Sequence, residues 1–375
     1  MKSIKISKQI AKKLVLQSQL LDQDQQRSTL AVIKKLGYIQ IDSISVIERS
    51  HHHVLWSRNK SYVREELNDL MQKKKIFEYW THAASYLPIE DYPYCLPRMN
   101  QYKDGKKHWF SSDKKMLKYV VDRIKKEGPL SSKDFKDKSK SSGWYDWKPA
   151  KKALEQLFMD GTLMTKERRS FHKVYDLAEN VLPSDLSIKT PTDREFANYL
   201  IKKQLQSLGI ASVSEIAYMR GAEVKNNVKQ EVVKLVEEGK VLSIFIPEIE
   251  TEYFCLKNYF ENFNENSQNS NLNILSPFDN LIIQRKRLNE LFDFDYQLEC
   301  YLPVDKRKFG YFNLPILYKD QFVGTIDLKA HRKLKELEVL SLHMIKKNKQ
   351  ISKILTKKLN ELSAFNQCET VIGRV

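Results

Sequence analysis

The sequence predicts a mixed α+β fold, in which tandem helix-turn-helix units that each end in a β-hairpin precede a C-terminal domain like a small β-barrel. Two observations lead to this prediction. The order helix, turn, helix, hairpin occurs twice in the middle of the 375-residue chain, which indicates an internal repeat. After the repeat, short β-rich runs separated by turns replace the helical periodicity. A chain of this length has room for two or three compact units with their own cores.

The first copy of the repeat spans residues 112–182. Amphipathic helices are predicted over Met116–Lys126 and Lys148–Asp160, with a Gly-Pro turn and a helix cap between them. Gly161 is expected to end the second helix in the left-handed conformation. Residues 162–177 then read as a hairpin with a charged tip.

The second copy spans residues 190–258, with helices predicted over Phe196–Leu208 and Lys225–Glu238. Val241–Ile246 and Thr251–Leu256 are the predicted strands of its hairpin. This order of elements is the winged-helix plan, whose second helix can enter a major groove and whose hairpin can contact phosphates. Small winged helices also serve only for protein packing, so the pattern by itself leaves both roles open.

The N-terminal region, residues 1–111, is expected to be a third and more divergent unit. Helices are predicted over Lys8–Leu21 and Ser28–Lys35, a strand over Tyr38–Ile44, and a further helix over Val46–Ser57.

The region after the repeat divides into three parts. Residues 259–274 are rich in Asn, Ser and Glu and are predicted to be a linker. Residues 275–345 are predicted to be a β-barrel-like domain, and residues 346–375 a helix over Asn348–Ala364 with a mobile tail. The predicted strands of the domain are Tyr296–Leu302, Gly310–Tyr318, Gln321–Ala330 and Leu337–Met344.

Composition points to a polyanionic partner. Lys and Arg number 64 against 47 Asp and Glu, which gives a net charge of +17. Such a surplus favours nucleic acid over a small neutral substrate, although an organism with lysine-rich protein surfaces would also explain it. Apolar residues make up 41% of the chain and aromatic residues 11%, which excludes a globally disordered protein.

The cysteines and the hydropathy bound the compartment. Cys95, Cys255, Cys300 and Cys368 are far apart in the sequence, so neither a zinc ribbon nor a disulfide framework is expected. No run of 18 apolar residues occurs, and the N-terminus lacks the apolar core of a signal peptide. We therefore expect a cytoplasmic protein without a membrane partner.

A carboxamide and a carboxylate lie two residues apart at Gln40 and Asp42. In a strand, Ile39 and Ile41 would face the core, and Gln40 and Asp42 would share the other face. Such a pair can hold one water molecule, and the carboxylate can accept its proton or stabilise a developing positive charge. By itself the spacing is a weak signal of catalysis, because it is commonly a solvated strand edge.

Three consecutive histidines, His51–His53, invite a metal interpretation. Consecutive side chains on a helix point about 100° apart, so the three cannot converge on one ion, and we expect neither a metal nor another cofactor. Two of these histidines and the arginines on either side of them are candidate contacts to DNA phosphates instead. They are Arg49, His51, His52 and Arg58.

The segment Phe77–Pro88 is rich in aromatic residues. Glu78, Trp80 and His82, together with Tyr38, are candidates for the wall of a site. An ordinary aromatic core with a hydrogen-bonded histidine explains the same spacing and is favoured by spacing alone.

Basic residues elsewhere are further candidate contacts to duplex DNA. Some lie at the tip of the first hairpin, where a solvated tip is an equal explanation, and others follow the segment Ser276–Asn280. They are Arg168, Arg169, Lys173, Arg285 and Arg287.

Five segments carry a more specific signal, in this order: LGYIQIDSISVIERSHHHVLWSR, FEYWTHAASYLP, LSPFDNLIIQRKR, LFDFDYQLECYLP and GYFNLPIL. Together they resemble the winged-helix DNA glycosylases of the YcaQ and AlkZ type. The resemblance covers the N-terminal hundred residues and residues 275–330, while the middle of the chain agrees in architecture more than in letters.

The resemblance implies tandem winged helices, a C-terminal β-barrel, and excision of alkylated bases from double-stranded DNA, including the unhooking of interstrand crosslinks joined through purine N7. The family motif of Gln, an aliphatic residue and Gln or Asp falls on Gln40, Ile41 and Asp42. The Asp form places the chain with the YcaQ branch, so the lesion range of the Gln–Gln branch does not transfer automatically. A monomeric, nucleoid-associated, monofunctional glycosylase is expected. Ser276–Asn280 is a family hallmark whose role stays open, and Asp279 is expected to cap or pair.

Two other functions fit parts of the sequence. A transcription regulator without catalysis would explain the repeat and the charge, but regulators usually dimerise to read two half-sites, and no heptad seam is visible. A nuclease would need a cluster of carboxylates able to hold Mg²⁺, and the acidic residues are scattered.

Overall fold

The structure is a computed structural model, which describes residues 3–23, 26–106, 113–135, 149–266, 269–346 and 348–373. Lys148, the predicted start of one helix, lies outside these residues. The described chain mixes helices and strands, as predicted, and none of its helices is long and apolar enough to cross a membrane.

The α-helices of the described residues are numbered in chain order. They are α1 (Lys8–Ser18), α2 (Thr29–Leu36), α3 (Ser50–Trp56), α4 (Glu65–Gln72), α5 (Leu96–Lys103), α6 (Lys114–Glu127), α7 (Pro149–Met159), α8 (Ala178–Val181), α9 (Asp193–Leu208), α10 (Val213–Ile216), α11 (Ala222–Glu237), α12 (Lys257–Glu261), α13 (Arg285–Phe292) and α14 (Lys349–Phe365). Short 3₁₀ turns occur at Ile89–Cys95, Glu299–Tyr301 and Val304–Lys306.

The strands are numbered in the same way. They are β1 (Ile4–Lys5), β2 (Ile39–Gln40), β3 (Ile76–Trp80), β4 (Ala84–Pro88), β5 (Leu130–Ser131), β6 (Leu163–Arg169), β7 (His172–Leu177), β8 (Ile210–Ala211), β9 (Val241–Phe245), β10 (Tyr253–Leu256), β11 (Leu272–Ile274), β12 (Asn313–Tyr318), β13 (Gln321–His331), β14 (Glu336–Met344) and β15 (Thr370–Ile372).

The chain forms two compact units. One comprises Met1–Val63 and Ala197–Val375, and the other comprises Arg64–Phe196. The predicted N-terminal region 1–111 is therefore divided between them. We call them the discontinuous unit and the inserted unit.

The inserted unit contains the first copy of the repeat. Helices α6 and α7 accompany a three-stranded sheet in the order β5-β7-β6, and β6 and β7 form the predicted antiparallel hairpin. Gly161 follows α7 at φ +75°, as expected for a left-handed helix end. A second antiparallel hairpin, β3–β4, precedes the repeat in this unit.

The discontinuous unit contains the second copy. Helices α9, α10 and α11 lead into the antiparallel hairpin β9–β10, and β8 pairs with β10. The sequence patterns did not predict β1, which pairs in parallel with β9 and widens the sheet to the order β1-β9-β10-β8. The repeat therefore shares its sheet with the N-terminus, because main-chain groups of Ile4 and Lys5 complete its edge.

The C-terminal sheet has the order β11-β12-β13-β14-β15 and is a curled half-barrel. The β-barrel-like domain expected from the sequence is therefore an open sheet, since no pairing of the described strands joins β11 to β15. Register shifts after Ile316 and Asp327 add local twist. Helix α14 buries Ile351, Leu355 and other apolar residues in the core of this sheet.

Three predictions about this region were wrong. The predicted linker includes β11, which pairs antiparallel with β12, so part of it is a sheet edge. The predicted strand Tyr296–Leu302 is a 3₁₀ turn with irregular flanks. The tail expected to be mobile contains β15, which pairs in parallel with β14, because its backbone completes a sheet edge that sequence periodicity does not reveal.

Candidate active site

The polar pair Gln40 and Asp42 lies just after α2 in the discontinuous unit. Ser28 caps α2, and Gly37 ends it at φ +81°. The strand that follows is shorter than predicted, since only Ile39 and Gln40 are in strand conformation.

Burial along this strand does not alternate as the pattern predicted. Ile39 and Ile41 face the core as expected, but Gln40 is also buried, while Asp42 is half-buried. The pair is therefore not a solvated strand edge.

The Asp42 carboxylate has a defined orientation. Its Oδ1 accepts a hydrogen bond from the Ile44 backbone N–H at 2.7 Å. Burial raises the pKa of Asp42 above its ordinary value, and the backbone N–H groups of Ile44 and Ser43 and the charge of Arg49 oppose that rise. A carboxylate whose pKa is raised in this way is a better proton acceptor near neutral pH than an ordinary aspartate.

Contacts distant in sequence hold the segment after Asp42. The backbone N–H of Ala330 donates to the Val46 carbonyl at 2.8 Å, and the backbone N–H of Glu48 donates to Asn366 Oδ1 at 2.6 Å. The Asp42 loop is therefore fixed to the C-terminal sheet and to the end of α14.

The segment Ser276–Asn280 braces the other side of the site. Ser276 Oγ lies 2.7 Å from Ser50 Oγ at the start of α3, and Asn280 Nδ2 donates to the Tyr38 carbonyl at 3.0 Å. The role left open by the sequence is thus, at least in part, structural: this segment ties α3 to the strand that carries Gln40.

Asp279 forms a buried bidentate ion pair with Arg58. Arg58 Nη1 and Nη2 lie 2.7 and 2.8 Å from the two carboxylate oxygens, and neither side chain has exposed surface. The expectation that Asp279 pairs is confirmed. The prediction that Arg58 contacts DNA was wrong, because its guanidinium is enclosed and pairs with Asp279 inside the fold.

Two of the three histidines of α3 are enclosed within the fold. His51 and His53 are buried, and His53 Nε2 donates to the Ile274 carbonyl at 2.8 Å. Burial lowers the pKa of His53 to about 4, so its imidazole is neutral at pH 7. His52 is half-buried, with Nδ1 at 2.6 Å from the Tyr62 hydroxyl. The prediction that His51 contacts DNA was wrong, because its side chain is buried. The described residues contain no group of three or more His, Cys, Asp or Glu placed to hold a metal ion.

One known protein family matches this chain. A family model described as "DNA glycosylase AlkZ-like" matches residues 33–365. The chain belongs to the AlkZ-like DNA glycosylase family. The resemblance drawn from the five sequence segments is confirmed, and the enzyme is a hydrolase that acts on N-glycosyl bonds in DNA. A non-catalytic regulator is not favoured.

A solved structure agrees with the fold of this AlkZ-like enzyme. The Streptomyces sahachiroi DNA glycosylase AlkZ superposes with a TM-score of 0.68 at 16% identity, over 99% of this chain and 100% of that one. At that identity the likeness concerns the fold alone, a mixed α+β architecture.

Two basic residues predicted to contact DNA form ion pairs with carboxylates inside the inserted unit instead. Arg168 holds Glu78 through two hydrogen bonds of 2.8 and 2.7 Å, and Lys173 lies near both Glu78 and Glu155. Burial alone would raise the pKa of Glu78, but Arg168 and Lys173 hold it below its ordinary value. The predictions that Arg168 and Lys173 contact DNA, and that Glu78 lines the wall of a site, were therefore wrong.

The remaining candidates for the wall of a site belong to different units. Trp80 and His82 are half-buried in the inserted unit, while Tyr38 is half-buried in the discontinuous unit. The aromatic-core explanation holds for Phe77 and Tyr79, which are fully buried.

Among the other basic candidates, the degree of burial decides which can meet DNA. Arg287 is buried, with Nη1 at 3.0 Å from Glu215 Oε2, so its assignment as a DNA contact is corrected. Arg285 is half-buried over the Tyr296 ring and donates to two backbone carbonyls. Arg49 is half-buried and Arg169 is exposed.

Sequence reasoning missed two residues far along the chain, Cys300 and Tyr301, on which the charge of Asp42 acts. Burial raises the pKa of the Cys300 thiol, and the Asp42 charge raises it further; Asp42 acts on the Tyr301 phenol as well. These residues lie in a segment predicted to be a strand. The available signal was the run of aromatic and basic residues that begins at Tyr301.

Proposed function

We propose that this glycosylase removes N7-alkylguanine-type bases from duplex DNA and unhooks interstrand crosslinks joined through such bases, with Asp42 and Gln40 as its reactive pair. The observation that supports this most is the half-buried Asp42 carboxylate, whose pKa is raised and whose orientation a backbone N–H group sets. It lies two residues after a buried amide side chain.

The proposed reaction balances as a simple hydrolysis. Water attacks C1′ of the deoxyribose, its proton passes to the Asp42 carboxylate, and the bond between C1′ and the base nitrogen breaks. The electron pair of that bond neutralises the alkylated base, which is cationic beforehand and so needs little help from a general acid. Gln40 orients the water, and the Asp42 charge stabilises the oxocarbenium-like sugar.

The repeated groups of elements fit duplex binding. We assign residues 112–182 and 190–258 to winged helices, since each has a helix, a short strand, a further helix and a hairpin in that order. The net charge of +17 favours a polyanionic duplex. A crosslinked base stays tied to the opposite strand, so an open basic channel suits it better than the snug pocket of a base-flipping enzyme.

The decisive experiment is excision of N7-methylguanine from a duplex oligonucleotide, followed by alkaline cleavage of the abasic site. We expect strand breaks with the wild-type enzyme. Asp42→Asn and Gln40→Ala should each slow single-turnover excision by roughly 100-fold, because one lost electrostatic partner costs about 3 kcal/mol of barrier. Asp293→Asn, at a largely exposed side chain, is the matched control and should excise at the wild-type rate.

Unhooking is tested with nitrogen-mustard-crosslinked DNA on a denaturing gel. Strands should separate after treatment with the wild-type enzyme and stay joined with Asp42→Asn. If wild-type enzyme leaves both N7-methylguanine and the crosslink intact, the proposed substrate class is wrong. If Asp42→Asn excises as fast as wild type, the proposed residue is wrong.

A further inference from the structure

Exposed apolar side chains are concentrated in one loop of the C-terminal region. Between residues 301 and 311, Tyr301 is 74% exposed, Val304 75%, Phe309 41% and Tyr311 38%. No other stretch of eleven described residues exposes as many large apolar side chains. Clusters of this kind mark binding surfaces, since exposing them to water is unfavourable. We call residues 299–311 the aromatic loop.

The aromatic loop is internally braced. Glu299 is buried, and its Oε2 accepts hydrogen bonds from the backbone N–H groups of Lys308, Phe309 and Gly310 at 2.9, 2.8 and 3.1 Å. Arg307 Nε donates to the carbonyls of Glu299 and Leu302. A buried carboxylate therefore closes the loop on itself.

A second buried carboxylate anchors the end of the loop to the sheet. Asp327 on β13 accepts from the backbone N–H of Tyr311 at 2.7 Å and of Phe312 at 3.3 Å. The exposed rings are thus displayed by an ordered backbone, and little backbone entropy remains to be lost when a ligand covers them.

Positive charge is interleaved with the rings. Lys306, Arg307 and Lys308 follow Asp305, so the segment 301–311 carries a net charge of +2. The Arg307 guanidinium lies 5.0 Å from the centroid of the Tyr311 ring. Aromatic faces with adjacent cations bind single-stranded or unstacked nucleic acid, because bases stack on the rings while phosphates meet the cations.

The loop begins within electrostatic range of the proposed reactive carboxylate, since the charge of Asp42 acts on Cys300 and on Tyr301, the first of the exposed rings. A base that leaves the duplex stack for reaction at Asp42 would therefore bring its neighbouring bases close to the Tyr301 ring.

We propose that the aromatic loop is a base-stacking surface, on which Tyr301 stacks against a nucleobase exposed where the duplex opens next to the lesion. Phe309 and Tyr311 extend this surface, and Lys306 and Lys308 meet the adjoining phosphates. Tyr301 is a positioning residue, because it holds DNA and not the reacting atoms. The inference rests on the proposed placement of the reaction at Asp42.

The test uses the full-length enzyme and two readouts. The first is the fluorescence of 2-aminopurine placed next to a tetrahydrofuran abasic-site analogue in a duplex, at saturating enzyme, which reports base stacking without chemistry. The second is single-turnover excision of N7-methylguanine. The variants are Tyr301→Ala, Tyr301→Phe, which keeps the ring, and Leu334→Ala, which removes an exposed apolar side chain from the turn between β13 and β14.

We expect Tyr301→Ala to abolish the fluorescence change that wild type produces and to slow excision by roughly tenfold or more, as the loss of one stacked base predicts. Tyr301→Phe and Leu334→Ala should match wild type in both readouts within about threefold, a smaller effect than the loss of one stacked base.

Three results overturn the inference: no fluorescence change with wild type, an unchanged fluorescence response in Tyr301→Ala, or unchanged excision in that variant while Asp42→Asn is inactive. A fluorescence response that depends on Tyr301, in an enzyme that does not excise N7-methylguanine, supports the stacking surface and overturns the proposed substrate. The failure of each proposal is thereby distinguishable.

Discussion

At the scale of single residues, Asp42 shows how the fold changes the chemistry of an ordinary side chain. Half-burial raises its pKa, and the Ile44 N–H group fixes one of its oxygens. In an unfolded chain the same carboxyl group would be fully hydrated, with an ordinary pKa. The raised pKa has a consequence for the pH dependence of the reaction.

We expect the excision rate to fall as the pH is lowered through the raised pKa of Asp42. The reaction needs the carboxylate, and a raised pKa means that the carboxylate is lost at a higher pH than for an ordinary aspartate. Single-turnover rates on N7-methylguanine duplex between about pH 4 and 8, a range that reaches the ordinary aspartate pKa, with duplex affinity measured at each pH, test this. A rate that stays flat down to the ordinary aspartate pKa would contradict it.

Arg58 and Asp279 illustrate a different use of charge. Because both side chains are fully enclosed, Asp279→Asn leaves a buried guanidinium without its counter-ion. We expect this change to lower the free energy of unfolding by about 3–5 kcal/mol, measured by urea denaturation.

The control is Asp293→Asn, whose partner Lys8 contacts a largely exposed carboxylate and which should cost less than about 1 kcal/mol. The double variant Arg58→Met/Asp279→Leu should recover much of the lost stability, because it leaves no uncompensated charge. Equal losses for Asp279→Asn and Asp293→Asn would contradict the structural role of the buried pair.

At the scale of elements, the aromatic loop depends on one glycine. Gly310 has φ +126°, and a Cβ atom there would lie 2.0 Å from Asp327 Oδ2. The same Asp327 oxygen receives the Tyr311 N–H group, so the clash falls on the contact that anchors the loop.

We therefore expect Gly310→Ala to lower the free energy of unfolding by roughly 3 kcal/mol, the upper range for a residue forced into a glycine-only conformation, and to slow excision. Gly239→Ala is the matched control: Gly239 has φ +67° with no atom within 4 Å of the added Cβ, so only backbone strain of about 1 kcal/mol applies. Urea denaturation and single-turnover excision measure both variants. A Gly310→Ala enzyme as stable as Gly239→Ala would contradict the close approach.

At the scale of the whole molecule, charge governs how the enzyme meets DNA. The chain carries a net charge of +17, while several arginines and lysines singled out from the sequence are neutralised by buried or half-buried carboxylates. The surface available to DNA is therefore set by which cations remain exposed and not by the total number.

The logarithm of the duplex association constant should fall linearly with the logarithm of salt concentration, with a slope of about −0.9 per phosphate neutralised. Asp42→Asn should give a parallel line at similar affinity, because one neutral side chain barely changes a surface of this charge. Fluorescence anisotropy with undamaged duplex between about 50 and 200 mM salt measures both lines. A large loss of affinity in Asp42→Asn would count against a catalytic role and for a role in DNA binding.

Much of the fold was predictable from local patterns. The repeated order of helices and hairpins, the glycines that end α2 and α7, and the long strands β12 to β14 follow from periodicity and capping, which act within a few residues. The expected alternation around Gln40 was wrong because neighbours from distant segments bury both sides of that strand, and local periodicity cannot report them.

The sequence by itself determined the family and the Gln-Ile-Asp motif, because these are written in the order of residue types. Only the tertiary structure decided which charges are available. Arg58, Arg168 and Arg287 look like DNA contacts in a list of residues, but each meets a carboxylate between 72 and 221 positions away. It also decided that the charge of Asp42 acts on Tyr301. Pairing over such separations depends on how the chain packs, and no local pattern encodes it.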